Sequence, residues 1–302
     1  MSGNARKFRL VALTKNKENP AYIGARLGAD RVAARHGCVL THAVPDTPDD
    51  IDEQHALLKA AHAERPDAVL IVPAHATALN GTLQRMQADG IRVVSFVGRP
   101  EGIACTCHVG SDDRALARGI AGYLLGRLER DAVVATIDGH PDSITTPPRM
   151  AGFRDALSAH DGAVLAGSRC GYYLRDGGHA AMADLLAAAP RIDGVLAAND
   201  FMALGAIDAL REKARKVPIV GINATPDGVA AIKAGDLLAS ASFDAMKMAC
   251  LATEAAVRAL SGQSVPPEIV LRVEIVDRSN CEAWDLPYAE RALPEWQTYA
   301  KS

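Results

Sequence analysis

Short apolar runs alternate with longer amphipathic stretches through most of the chain, the rhythm that strands and helices produce in a parallel α/β sheet. Strands are predicted at 8–13, 39–43, 68–72, 92–96, 132–137, 163–168, 194–197, 219–222 and 239–243. Several are apolar almost throughout, the pattern of strands covered by helices on both faces. Helices are predicted at 21–35, 49–63, 78–89, 112–130, 149–159, 177–188, 201–213, 226–234 and 244–260. Asp112, Asp200 and Thr225 stand where helix N-caps are needed, and Gly37, Gly90 and Gly235 where helices stop.

A fixed offset of 126 residues superimposes two strand regions without a gap. Arg65-Pro-Asp-Ala-Val-Leu-Ile71 falls on Arg191-Ile-Asp-Gly-Val-Leu-Ala197, and Arg92-Val-Val-Ser-Phe-Val-Gly-Arg-Pro100 on Pro218-Ile-Val-Gly-Ile-Asn-Ala-Thr-Pro226. Any two α/β segments share an apolar pattern, but chance similarity does not hold one register across both stretches. The chain is therefore expected to form two similar doubly wound α/β lobes in tandem. Ligands of open α/β sheets bind beyond the carboxyl ends of the strands, so the loops there are the ones to read.

At 302 residues, 49% apolar and 23% charged, the chain has material for two cores of ordinary size. A net charge of -3 gives no general attraction for phosphate backbones, and no basic patch of useful length stands out, so no nucleic-acid partner is expected. No run approaches the roughly 20 apolar residues of a membrane span, so no membrane insertion is expected. A basic and then apolar leader with a small-residue cleavage site is also missing, which leaves either a cytosolic protein or one whose leader has been removed. The six cysteines are scattered, and Cys105-Thr-Cys107 has the wrong spacing for a redox Cys-x-x-Cys motif and no second pair to complete a zinc site.

Phosphate-loop, nucleophile-elbow and zinc-helix motifs are absent, and Thr14-Lys-Asn-Lys-Glu-Asn19-Pro20 stands after the first strand where a dinucleotide fingerprint would be. Neither cofactor nor metal is expected. The nine histidines lack metal-ligand spacing, and His55 and His62 read as surface residues of one helix. With no nucleophile or paired carboxylates in evidence, the reading is a binding protein and not an enzyme.

The strand-end loops carry a resemblance. Asn19-Pro20-Ala21-Tyr22, Gly110-Ser111-Asp112-Asp113, Arg149-x-x-Gly-Phe153, Ala198-Asn199-Asp200-Phe-Met-Ala-Leu-Gly-Ala206 and Val220-Gly-Ile-Asn-Ala-Thr-Pro-Asp-Gly228 occur in order. Together they resemble the ribose-binding branch of the type I periplasmic binding proteins over about residues 8–278. The Asn-Asp-x-Met-Ala-Leu-Gly-Ala string is the specific part. The resemblance implies two Rossmann-like lobes joined by a hinge, one of residues 1–111 plus 244–271 and the other of 112–243 plus 272–302. It implies a monomeric periplasmic protein that closes over a small carbohydrate and delivers it to the membrane permease of an ABC-type importer.

By the same resemblance Asn19, Arg149, Asn199 and Asn223 take hydrogen-bonding positions and Tyr22 and Tyr173 stacking positions, with Arg99 a second guanidinium. The chemistry suits a sugar, whose rim of hydroxyls needs planar or bidentate polar groups and whose C–H faces need aromatic rings. Asn199 and Asn223 also suit strand-end turns, and the two tyrosines also suit packing. Arg149 at a helix start opposes the helix dipole, which points to an acidic or polar ligand.

This chain has Val97-Gly98-Arg99 where the relatives carry an Asp-Arg pair, Asn223 where they carry Asp, and Phe243, also taken as a ligand-binding position, followed by Asp244 where they carry a polar strand end. With two carboxylates lost and the arginines kept, uncompensated guanidinium would favour a sugar acid. Asp244 would restore the missing charge. The competing reading is the effector-sensing core of a lac-repressor-type regulator, whose DNA-binding segment would precede the first strand. The segment 277–302, with Trp284 and Trp296, lies beyond the resemblance and is expected to pack on its own lobe.

Overall fold

The structure is a computed structural model that describes residues 6–300. In chain order the first elements are β1 (Arg9–Leu13), α1 (Pro20–Arg35), β2 (Val39–Ala43), α2 (Ile51–Ala63), β3 (Ala68–Ile71), α3 (Asn80–Ala88), β4 (Arg92–Phe96) and β5 (Cys107–Gly110). Then come α4 (Asp113–Leu125), β6 (Val133–Asp138), α5 (Thr146–Ala159), β7 (Val164–Cys170), α6 (Arg175–Ala188), β8 (Gly194–Ala197), α7 (Asp200–Glu212), β9 (Ile219–Ile222), α8 (Pro226–Ala234) and β10 (Ala239–Ala241). The chain ends with α9 (Ala245–Leu260), β11 (Glu268–Val270), β12 (Ile275–Asp277), a 3-10 turn (Cys281–Trp284) and α10 (Trp296–Tyr299).

Two compact units result. One holds the residues up to Gly110, Ala245–Leu271 and the segment from Arg291 on, and the other holds Ser111–Asp244 and Arg272–Glu290. The last segment corrects the expected partition, which gave all of 272–302 to the second lobe. Within the first unit the Arg258 guanidinium of α9 lies 5.1 Å from the centre of a Trp296 ring, and Arg31 of α1 donates to the Arg291 carbonyl at 2.7 Å. Those anchors hold residues 291–300 to α1 and α9.

Each unit is a six-stranded sheet, ordered β11-β5-β4-β3-β1-β2 in the first and β12-β10-β9-β8-β6-β7 in the second. The orders correspond strand for strand, and the offset of 126 carries β3 onto β8. All pairings are parallel except β12, which runs antiparallel to β10. Central strands such as β3 and β8 are buried throughout, as helices on both faces require, whereas β2 and β7 form partly exposed edges. In the first unit Leu13, Val69, Ile71 and Val93 pack on Leu58 of α2 and Leu83 and Met86 of α3.

The offset also relates two backbone outliers at strand ends, Val97 after β4 (φ 65°) and Asn223 after β9 (φ 132°). Non-glycine residues adopt such conformations at a cost that surrounding structure must offset, and they gather where a site is built. Asp112 and Thr225 cap α4 and α8 as expected. At α7 the cap is Asn199, whose Oδ1 accepts the Met202 N–H at 2.8 Å, so Asp200 falls inside the helix.

Candidate functional site

In the first unit, the loop after β1 is fastened from within. Asn16 Oδ1 accepts the N–H groups of Glu18 and Asn19, Arg26 of α1 donates to the carbonyls of Asn16 and Lys17, and Gln54 of α2 donates to that of Thr14. This fixes Asn19, which is buried and caps α1 through Oδ1 to the Ala21 N–H at 3.0 Å, with Pro20 in the first helical position. Tyr22 is buried one turn later. Lys15 and Asp49 form a buried ion pair at 2.5 Å behind the same strand ends. Arg99 is turned toward the β11 edge of the sheet, half exposed, with its guanidinium 3.0 Å from Glu268.

In the second unit four of the five predicted residues converge. Arg149 is buried in the first turn of α5, donates from Nε to Asp113 at 2.6 Å and from a terminal nitrogen to the Ala198 carbonyl at 2.7 Å. Its guanidinium carbon lies 4.6 Å from the centre of the Phe243 ring and 5.8 Å from that of Tyr173. Asn199 reaches the Tyr173 carbonyl with Nδ2 at 3.4 Å. Asn223 is buried at the end of β9, where its N–H donates to the Ala241 carbonyl.

Behind these residues Asp200 is fully buried and accepts the Thr225 N–H and hydroxyl and the Ser240 hydroxyl, the last at 2.6 Å. Gly221 is required beside it, because a Cβ there would lie 2.3 Å from the carboxylate. Burial pushes the Asp200 carboxyl up to about 6, against the hydrogen bonds from Ser240 and Thr225 that pull it down.

The expectation of uncompensated guanidinium is not met. Arg149 has Asp113 and Arg99 has Glu268, so each positive charge is balanced within its own unit and the charge argument for a sugar acid falls. Sequence reasoning passed over Asp113 as a site residue, although two successive acids before a helix hinted at one for the cap and one for another task. It also passed over Ser143, Thr145 and Thr146, which were legible only as the polar start of a Pro-Pro helix. Two surface cavities of about 290 and 260 Å³ in the first unit adjoin Gly90 and Ile91 and are lined by none of the predicted residues.

Comparison with known proteins bears on the whole arrangement. The family described as periplasmic binding protein domain matches residues 11–264. The ribose import binding protein of Bacillus subtilis (strain 168) is 27% identical over 268 residues, 89% of this chain and 87% of that protein. A D-ribose/D-allose-binding protein of Pseudomonas aeruginosa is 28% identical over 269 residues, 85% of this chain and 84% of that protein. Among solved structures, an ABC transporter solute binding protein from Mycobacterium smegmatis with bound glycerol is 27% identical with a TM-score of 0.85, covering 92% of this chain and 96% of that one.

Proposed function

Since this chain belongs to the periplasmic binding protein domain family, we propose that it captures a small neutral carbohydrate or polyol in the periplasm and delivers it to the permease of an ABC-type importer. The convergence of Arg149, Tyr173, Asn199 and Phe243 at the strand ends of the second unit carries the proposal. Aromatic rings offer flat apolar faces to sugar C–H groups, while a guanidinium and amides supply bonds to hydroxyls. Asn19 and Tyr22 of the first unit and Asn223 of the second are proposed to add to that set.

The internal pairing of both arginines supports a neutral ligand over a sugar acid. Ribose, allose and glycerol in the relatives' names and bound states are all neutral and hydroxyl-rich. Those relatives are transport components, which favours import over an effector-sensing regulator core. The chain passes from unit to unit by direct connections such as 110–111 and 244–245, the kind of joint that hinge closure uses.

A thermal-shift screen of the refolded, ligand-stripped protein against pentoses, hexoses, polyols and sugar acids tests this. A ligand at a thousand times its dissociation constant adds roughly 4 kcal/mol, so a rise of several degrees is expected for a neutral class. A response to sugar acids alone would overturn the neutral assignment, and a flat response would overturn carbohydrate binding.

A further inference from the structure

β4 ends in a turn that suits its central residue badly. The Gly98 N–H donates to the Phe96 carbonyl at 2.8 Å, closing a three-residue turn around Val97 at φ 65°. This is the rare, strained mirror form of the common inverse γ-turn. Positive φ suits glycine or asparagine, and a β-branched residue there is a genuine outlier. Glycine stands one position later, at Gly98, yet the left-handed conformation falls on the valine. The turn is well fixed, since the Val97 N–H donates to the Val109 carbonyl of β5 at 3.0 Å and the residue is buried.

The second unit shows what else this position accepts. The offset of 126 places Val97 on Asn223, which follows β9 in the same way, with its N–H on the Ala241 carbonyl of β10 at 2.8 Å. Asparagine tolerates positive φ, and the Asn223 amide has no hydrogen-bond partner among the described residues. One unit thus offers a free amide at this strand end and the other an isopropyl group. Arg99, the next polar side chain along the loop, does not replace the amide, because its guanidinium is engaged by Glu268.

We infer that Val97 is a specificity-determining residue, kept in a strained turn so that the first unit meets the ligand there with an apolar surface. The ligand carbon against it bears hydrogen or a methyl group in place of a hydroxyl, and the favoured class is a deoxy sugar over its fully hydroxylated parent. A hydroxyl buried against an isopropyl group loses its bonds to water and gains none, and outliers of this kind persist where function requires them. The inference rests on the carbohydrate-binding reading and narrows it.

Calorimetric titration of the full chain with matched pairs tests this, using D-ribose against each of its monodeoxy forms and D-galactose against D-fucose, which lacks its terminal hydroxyl. The wild-type protein is expected to bind the deoxy member of at least one pair roughly ten- to a hundredfold more tightly. Val97→Thr keeps the branched shape and adds one hydroxyl, and Val97→Asn installs the amide of the second unit. Both should erase or reverse the preference in that same pair. Preference of the wild-type protein for the hydroxylated member of every pair would overturn the inference, and so would an unchanged ranking in both variants. If no member of the panel binds, the inference falls, while the carbohydrate reading stands or falls separately by the wider thermal-shift screen.

Melting without ligand separates a residue kept for binding from one kept for packing. Val97→Asn relieves the turn, so its melting temperature should stay within about 2 °C of wild type or exceed it. A fall of more than about 5 °C would mean that packing alone holds the valine in place, and the inference would then be wrong.

Discussion

Arg149 and Asp113 share a buried bond but not a common electrostatic position. Asp113 lies in the first turn of α4, where the positive end of the helix dipole favours its charge, whereas Arg149 lies in the first turn of α5, where the dipole opposes it. Arg149 therefore depends on Asp113 more than the reverse. Breaking a buried pair from one side costs about 3–5 kcal/mol; Asp113→Ala should fall in that range and exceed the cost of Arg149→Met, as measured by urea unfolding. An equal or smaller cost for Asp113→Ala would mean that the Ala198 carbonyl and the Phe243 ring suffice for the guanidinium. Arg149 was legible in the sequence because a cation at a helix start is out of place, a local fact. Its partner was not, because a contact between the starts of two helices 36 residues apart leaves no local mark. The shift of the α7 cap from Asp200 to Asn199 has the same origin: both residue types cap well, and only the burial of Asp200 against Thr225 and Ser240 separates them.

The elements that were legible are those long enough to show a period. Strands of four or more apolar residues and helices of nine to sixteen residues follow from alternation and caps alone. β11 and β12 have three residues each, too few for a period of two, and β5 carries a histidine and a cysteine in a run of four. The final segment was visible as an aromatic appendage, but its destination is a tertiary fact set by Arg258 and Arg31. Removing residues 291–302 should therefore destabilise the first unit and spare the second. For Trp296→Ala alone, a loss of about 2–4 kcal/mol follows from a nearly buried indole. Hydrogen exchange resolves this: protection should fall in α1 and α9 and hold in β6 to β10, and the reverse pattern would return the segment to the second unit.

For the molecule as a whole the repeat was the most legible feature, since both halves keep one strand order and one register. Their responses to acid differ in sign. In the first unit burial, and then the nearby Arg99, depress His108 from 6.5 to about 4, so its contribution to stability is present above 6.5 and lost as the pH falls toward 4. In the second unit Asp200 is raised from 3.8 to about 6, so its contribution is full below 3.8 and lost as the pH rises through 6. Acidification from pH 7 to 4 thus weakens one unit through His108 and strengthens the other through Asp200. Calorimetry should show two transitions that draw apart on acidification, with His108→Gln flattening the first and Asp200→Asn the second; a parallel drift of both would contradict these assignments. The return of the last segment to the first unit has a mechanical side as well. Both ends of the described chain belong to that unit, and the other is made of two stretches, Ser111–Asp244 and Arg272–Glu290, inserted between its parts. Tension applied between the termini bears at the carboxyl end on the Trp296 and Arg291 anchors to α9 and α1, and once they part it passes through Glu290 to the second unit. A tether or reporter at either end likewise rides on the first unit.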